Sequence, residues 1–253
     1  LMGLCAAMNQ IGGVIATLVA GVLAKVDWNY AFLVYSMGLF VLILVFLFLP
    51  NERLAAPKSS GGFIHNLKRF YPSVTGMLLL MICFFIFPTN FSAVCVKTTS
   101  LDPIAVTIIM VALDVVAALV GVAFGWCMRR FKQYVKYFSP SFFLLGYLCF
   151  AISQSIPSLL VGCLFIGIAN GIGVPYLNTI ASIKAGQEAA TTVMPLLSAA
   201  LYAGQFLSPL VATPLAVKFF PDNNLGIYWI ACIFSVLFFL EVFLTRRFQS
   251  QPT

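Results

Sequence analysis

The stretch Ile104-Ala-Val-Thr-Ile-Ile-Met-Val-Ala-Leu-Asp114-Val-Val-Ala-Ala-Leu-Val-Gly121-Val-Ala-Phe-Gly125-Trp-Cys-Met-Arg129-Arg130-Phe131-Lys132 decides the fold. One apolar run carries a single acid near its middle and ends in a basic turn. A bilayer core about 30 Å thick needs about 20 apolar residues per helix. Residues 104–127 therefore read as a membrane-spanning helix whose end is marked by Arg129 and Arg130.

The same pattern recurs outward along the chain. Runs of this kind cover roughly 1–24, 30–49, 74–96, 104–127, 138–154, 159–181, 195–217 and 226–245, about eight spanning helices in all. With 62% hydrophobic residues, 8% charged ones and a mean hydropathy of +1.04, the chain lies outside the range of soluble domains. A net charge of +7 would suit a nucleic-acid binder only if the basic residues shared a solvated face. They lie between apolar runs instead, and no nucleic-acid partner is expected. The cysteines fall almost entirely within apolar runs without a Cys-x-x-Cys pair and read as small membrane-helix residues. The single histidine, His65, stands in a polar stretch, so no histidine-based metal site and no cofactor are expected.

Residue 1 is Leu, and no basic region precedes the first run, which is unlike a signal peptide. The chain reads as a fragment that begins at or inside a helix. Arg53, Lys58, Lys68, Arg69, Arg129, Arg130, Lys132, Lys136, Lys184, Arg246 and Arg247 fall on one side of the runs, against Lys25, Lys97 and Lys218 on the other. This bias predicts a cytoplasmic linker and C-terminus, with both ends of the chain in the cytoplasm of a cell membrane. The segment 50–73, with Pro57, Ser59, Ser60, Gly61 and Gly62, reads as that linker.

Either side of the linker a pattern repeats. Residues 21–32 end a small-residue helix and open an aromatic one through Lys25, Asp27 and Trp28; residues 215–231 do the same through Lys218, Asp222 and Trp229. Two six-helix halves follow: residues 1–49 supply the last two helices of the first, 74–247 the complete second, and 248–253 a cytoplasmic tail. On this reading the first four helices are missing.

Several motifs resemble the major facilitator superfamily of secondary transporters, bacterial drug-exporter-like members in particular. They are Asn9-Gln10-Ile-Gly12-Gly13-Val-Ile-Ala16-Thr17-Leu-Val-Ala20-Gly21, the segment Gly121 to Lys132, Gly167-Ile-Ala-Asn170-Gly171-Ile-Gly173-Val-Pro175, and Gly204-Gln205-Phe-Leu-Ser-Pro209. The resemblance implies an all-α helical bundle with a central solute cavity and no enzymatic activity. Two departures stand out: the family's antiporter signature has Gly-Pro where Ala16 and Thr17 stand, and its cytoplasmic loop motif has Asp and Gly where Arg129 and Lys132 stand. A gating salt bridge from that Asp is therefore not carried over to this chain.

Gly12, Ala16 and Ala20, and beside them Gly13, Thr17 and Gly21, form two four-spaced rows of small residues. Both rows suit close helix packing or a contact that moves during transport. Asp114 differs, because a carboxylate near a helix centre costs roughly 2.5 to 3.5 kcal/mol on insertion scales. Spacings of four, seven and eleven put Asp114, Ala118, Gly121 and Gly125 on one face, turned toward other helices or a cavity. Three readings stay open for the acid: a carrier of a proton or cation, a member of a structural network, or a group shallower than its position in the run suggests.

Thr89, Asn90, Asn170, Asn178, Tyr202 and Gln205 are further polar groups near mid-span. The resemblance places their helices around the cavity, so they are candidates for solute contact, with interhelical hydrogen bonding as the competing role. Pro88, Pro175 and Pro209 bend their helices, statically or as gates. Glu241 is expected to pair at the interface with Arg246 and Arg247.

The expectation is a transporter that moves a small organic solute by alternating access, driven by a proton or cation gradient, since no phosphate-binding Gly-x4-Gly-Lys loop occurs. Its partners would be the solute, the coupling ion and membrane lipid, and it would work as a monomer once the missing helices are present. A non-transporting membrane sensor is the alternative, with an intramembrane transferase behind it. The latter needs clustered acids, bases or metal ligands.

Overall fold

A computed structural model of the chain describes residues 2–24, 27–48, 63–99, 101–221 and 223–245. Among these there is no strand. Helix α1 is Met2–Leu23, α2 is Met37–Phe48 behind a 3-10 segment Trp28–Ser36, and α3 is Phe63–Thr98. Helices α4 (Pro103–Phe131) and α5 (Val135–Ile152) meet at a tight turn; α6 (Ile156–Phe219) has two arms, and α7 is Gly226–Leu244. Gly186, at φ 63 and ψ −170, separates the arms Ile156–Gly186 and Ala189–Phe219. A residue with a Cβ would be strained at that φ.

Each of the eight apolar runs is helical over most of its described residues. Among the described residues, six stretches are long and apolar enough to cross a membrane: Trp28–Phe48, His65–Thr98, Ile104–Ile152, the two arms of α6, and Gly226–Leu244. The third of these holds both α4 and α5.

Helix directions follow from specific contacts. Thr98 donates a hydrogen bond to Gln154 Oε1 (3.2 Å), so α3 and α5 finish at the same end. Gly146 approaches Ile166 while Gly162 approaches Phe150, which makes α5 antiparallel to the first arm of α6. The second arm runs with α3, where Ser208 donates to the Ile82 carbonyl (2.9 Å) and Gly204 lies against Leu78 and Met81. Thr75 near the start of α3 donates to Glu241 near the end of α7 (3.2 Å), so those two are antiparallel. Alternating directions bring Lys68, Arg69, Arg129, Arg130, Lys132, Lys136 and Lys184 to one end of the bundle, with Lys97 and Lys218 at the other.

The core lies among α3, α5, both arms of α6 and α7. Aromatic rings fill its centre: Phe87 and Phe91 stand 4.5 Å apart, Phe150 and Tyr228 5.2 Å. Tyr147 and Tyr228 are fully buried, and the Tyr147 hydroxyl donates to the Cys83 carbonyl. Such ring pairs contribute about 0.5–1.5 kcal/mol each beyond the area they bury.

Two boundaries differ from the sequence reading. Residues 63–73, read as the end of the linker, are the first three turns of α3. Asn66, Phe70 and Ser73 are buried at spacings of four and three, while Lys68, Arg69 and Tyr71 are exposed, so this piece is an amphipathic helix rather than a tether. The Pro57 to Gly62 part of that linker, the 248–253 tail and the pair Arg246 and Arg247 lie outside the described residues, as do Lys25 and Asp222 of the repeat. The second run opens as 3-10 helix over Trp28–Ser36, longer than such segments usually are. Asp27 caps it by accepting from the Asn29 amide (3.0 Å). The turn before α7 is built the same way, with Asn223 accepting from the Leu225 amide (2.8 Å).

Candidate functional site

A cavity of about 130 Å³ lies between α1, α3 and both arms of α6. Asn9 comes from α1, Met81, Phe84 and Phe85 from α3, Asn170, Gly171 and Val174 from the first arm, and Leu201 and Gln205 from the second. Two of the sequence-predicted residues, Asn170 and Gln205, thus meet across it. Asn170 is 5% exposed, and its Oδ1 has no hydrogen-bond partner among the described residues. A buried carbonyl oxygen left unmatched costs about 1–3 kcal/mol unless a ligand or water supplies the donor.

Backbone contact between α4 and α6 fixes one wall of this cavity. A Cβ on Gly167 would come within 2.7 Å of the Leu113 carbonyl oxygen, and one on Gly171 within 2.6 Å of that of Ala117. Only glycine permits this approach, and the four-residue spacing repeats it on successive turns. Asn170, next to Gly171, is thereby held at the edge of the contact with its side chain buried beside the cavity.

Asp114 is not among the cavity's lining residues. It stands on α4 opposite α1, with its Oδ2 3.8 Å from the position of a Cβ on Gly13. One end further along, Gly21 lies against Thr107, so α1 and α4 run antiparallel. Gly13 and Gly21 of one row face α4, whereas Gly12 of the other row has open space around it and is exposed. Asp114 is half-buried and makes no hydrogen bond or ion pair among the described residues. Its helix face stays inside through Ala118 and Gly121 and emerges at Gly125, which is exposed.

The other predicted polar groups are placed elsewhere. Thr89 donates to the Phe85 carbonyl (2.6 Å) and Asn90 to that of Ile86 (3.0 Å), both turned onto their own helix just past Pro88. Asn90 Oδ1 also accepts from Thr213 (3.5 Å), which ties α3 to the second arm. Tyr202 is 67% exposed, and Asn178, one turn beyond Val174, is half-buried outside the cavity. Asn9 was not expected at the site. A signal existed: it is polar in an apolar helix and one turn before Gly13, on the same helix face.

At the basic end, Arg129 and Arg130 are exposed and form no ion pair among the described residues. Arg130 lies over the Phe131 ring at 5.7 Å. Lys132 has φ 45, a conformation that favours glycine, at the position where the loop motif has one. Glu241 accepts from Thr75 and, on its own helix, from Thr245 (3.3 Å).

No curated protein and no solved structure matches the chain. Its residues 1–209 match the Major Facilitator Superfamily, and over those residues the described chain is helical with no strand. The chain belongs to the Major Facilitator Superfamily and is a membrane transport protein of that family.

Proposed function

We propose that the protein moves a small organic solute by alternating access, with the solute held in the cavity between α1, α3 and α6. The observation that carries this is the buried, unmatched Asn170 beside a cavity walled by α1, α3 and the two arms of α6. A polar group that is costly to leave unpaired is retained where a ligand pairs it. Because its walls belong to different helices, relative movement of α1 against α6 would open or close it.

The reading continues with Asp114 as the group that carries the coupling ion, a proton in the first instance. Support comes from its position in a membrane-spanning helix, its lack of a partner among the described residues and its place against the α1 glycine. A structural carboxylate at that depth would be expected to hold fixed donors. The domain division follows the same proposal: α1 and α2 close one helical half, and α3 to α7 form the other. The end bearing the basic residues faces the cytoplasm of the cell membrane.

Uptake into proteoliposomes, with and without an imposed proton gradient, tests this function. Gradient-dependent accumulation of a solute is expected. Identical flux with and without the gradient, or no flux for a broad panel of solutes, would refute it.

A further inference from the structure

The cavity is selective in its chemistry as well as its place, an inference that rests on reading it as the solute site. Among the described residues, the side-chain polar groups that line it are carboxamides, those of Asn9, Asn170 and Gln205. None of the three makes a side-chain hydrogen bond among the described residues. The remaining side chains, Met81, Phe84, Phe85, Val174 and Leu201, are apolar, and among the described residues no lining residue carries a charge. Phe84 and Phe85 meet edge to face at 5.3 Å.

Each class of solute meets this lining differently. An ion would leave water for a site without a counter-charge, which is strongly unfavourable. A purely apolar solute would fill the space but leave the Asn170 oxygen unmatched. An uncharged solute with an N–H and a carbonyl on one edge satisfies a carboxamide at both its ends, since each offers an acceptor oxygen and a donor NH₂. Its ring or apolar face then lies against Phe84 and Phe85. Size narrows the class further, because a cavity of about 150 Å³ accepts benzene and this one measures about 130 Å³.

We infer that the cavity selects an uncharged solute, or solute moiety, about one six-membered ring in size, with an amide- or ureide-like edge that pairs with Asn170. Charged analogues of the same shape are rejected.

Three probes isolate charge at nearly constant shape: benzamide, benzoate and benzylammonium. Ligand-dependent thermal stability of the intact protein reports the apparent Kd of each. Benzamide should bind at least about tenfold more tightly than either ion. Asn170→Leu, which keeps the volume, should remove that preference. Asn170→Asp should move it to benzylammonium, and it serves as the test if the Leu variant does not fold. Equal binding of benzoate or benzylammonium, no binding of benzamide, or a preference unchanged by both substitutions would overturn the inference. The outcome separates from that of the transport reading. Selective benzamide binding without flux of any solute would refute transport alone. Flux of charged solutes that is insensitive to Asn170→Leu would refute selectivity alone.

Discussion

Asp114 and Asn170 stand on two helices whose backbones touch, yet they face different neighbours. The contact of Leu113 and Ala117 with Gly167 and Gly171 joins α4 to α6. On one side of it the acid faces the small-residue row of α1; on the other the carboxamide borders a cavity lined without charge. In a membrane interior a charge and a neutral ligand make opposing demands. The charge needs a compensating ion, and the ligand needs matched donors and acceptors with no field that would favour ions. Keeping the two apart while the backbones stay in contact lets helix movement, rather than direct touch, link ion and solute in the proposed cycle.

The largest expected effect falls on one side of that comparison alone. Asp114→Asn keeps size and hydrogen-bonding capacity but loses the titrating group, and gradient-driven uptake should drop at least about a hundredfold. Solute binding, read by thermal shift, should stay within about twofold. Next, Gly171→Leu should damage both sides together by forcing the Ala117 carbonyl away. About 3 kcal/mol of stability should be lost in denaturant titration, with binding and uptake falling in parallel. Asn170→Leu sharpens the contrast from the other direction: solute affinity should weaken about tenfold, while pH dependence of the residual flux is retained. The smallest change is Lys132→Gly, which relieves a glycine-favouring backbone far from both groups. A gain of about 1 kcal/mol is expected, with flux unaltered.

Helix positions were legible because a bilayer imposes a length on apolar runs, and α4 to α7 lie close to where those runs stand. The amphipathic opening of α3 was not, since Asn66 and Ser73 are polar and suggest solvent although the fold buries them. Nor was the 3-10 start of the second run legible: its sequence, Trp28 to Ser36, is as apolar as a helix, and no side chain of it is buried. Within the site, Asn170 and Gln205 could be found as polar groups on apolar helices. Thr89 and Asn90 carry the same signal, but their side chains donate to carbonyls one turn back on their own helix. Which α1 glycines meet α4 depends on the partner helix, and that information lies in α4 rather than in α1.

Separation of ion from solute is the central claim, and one pair of assays on Asp114→Asn in proteoliposomes tests it. The assays are solute counterflow at equal pH on both sides and uptake driven by a pH gradient. Counterflow preserved with driven uptake abolished is the predicted result. Loss of both would place Asp114 in solute handling or folding, and retention of both would remove it from coupling; either contradicts the account.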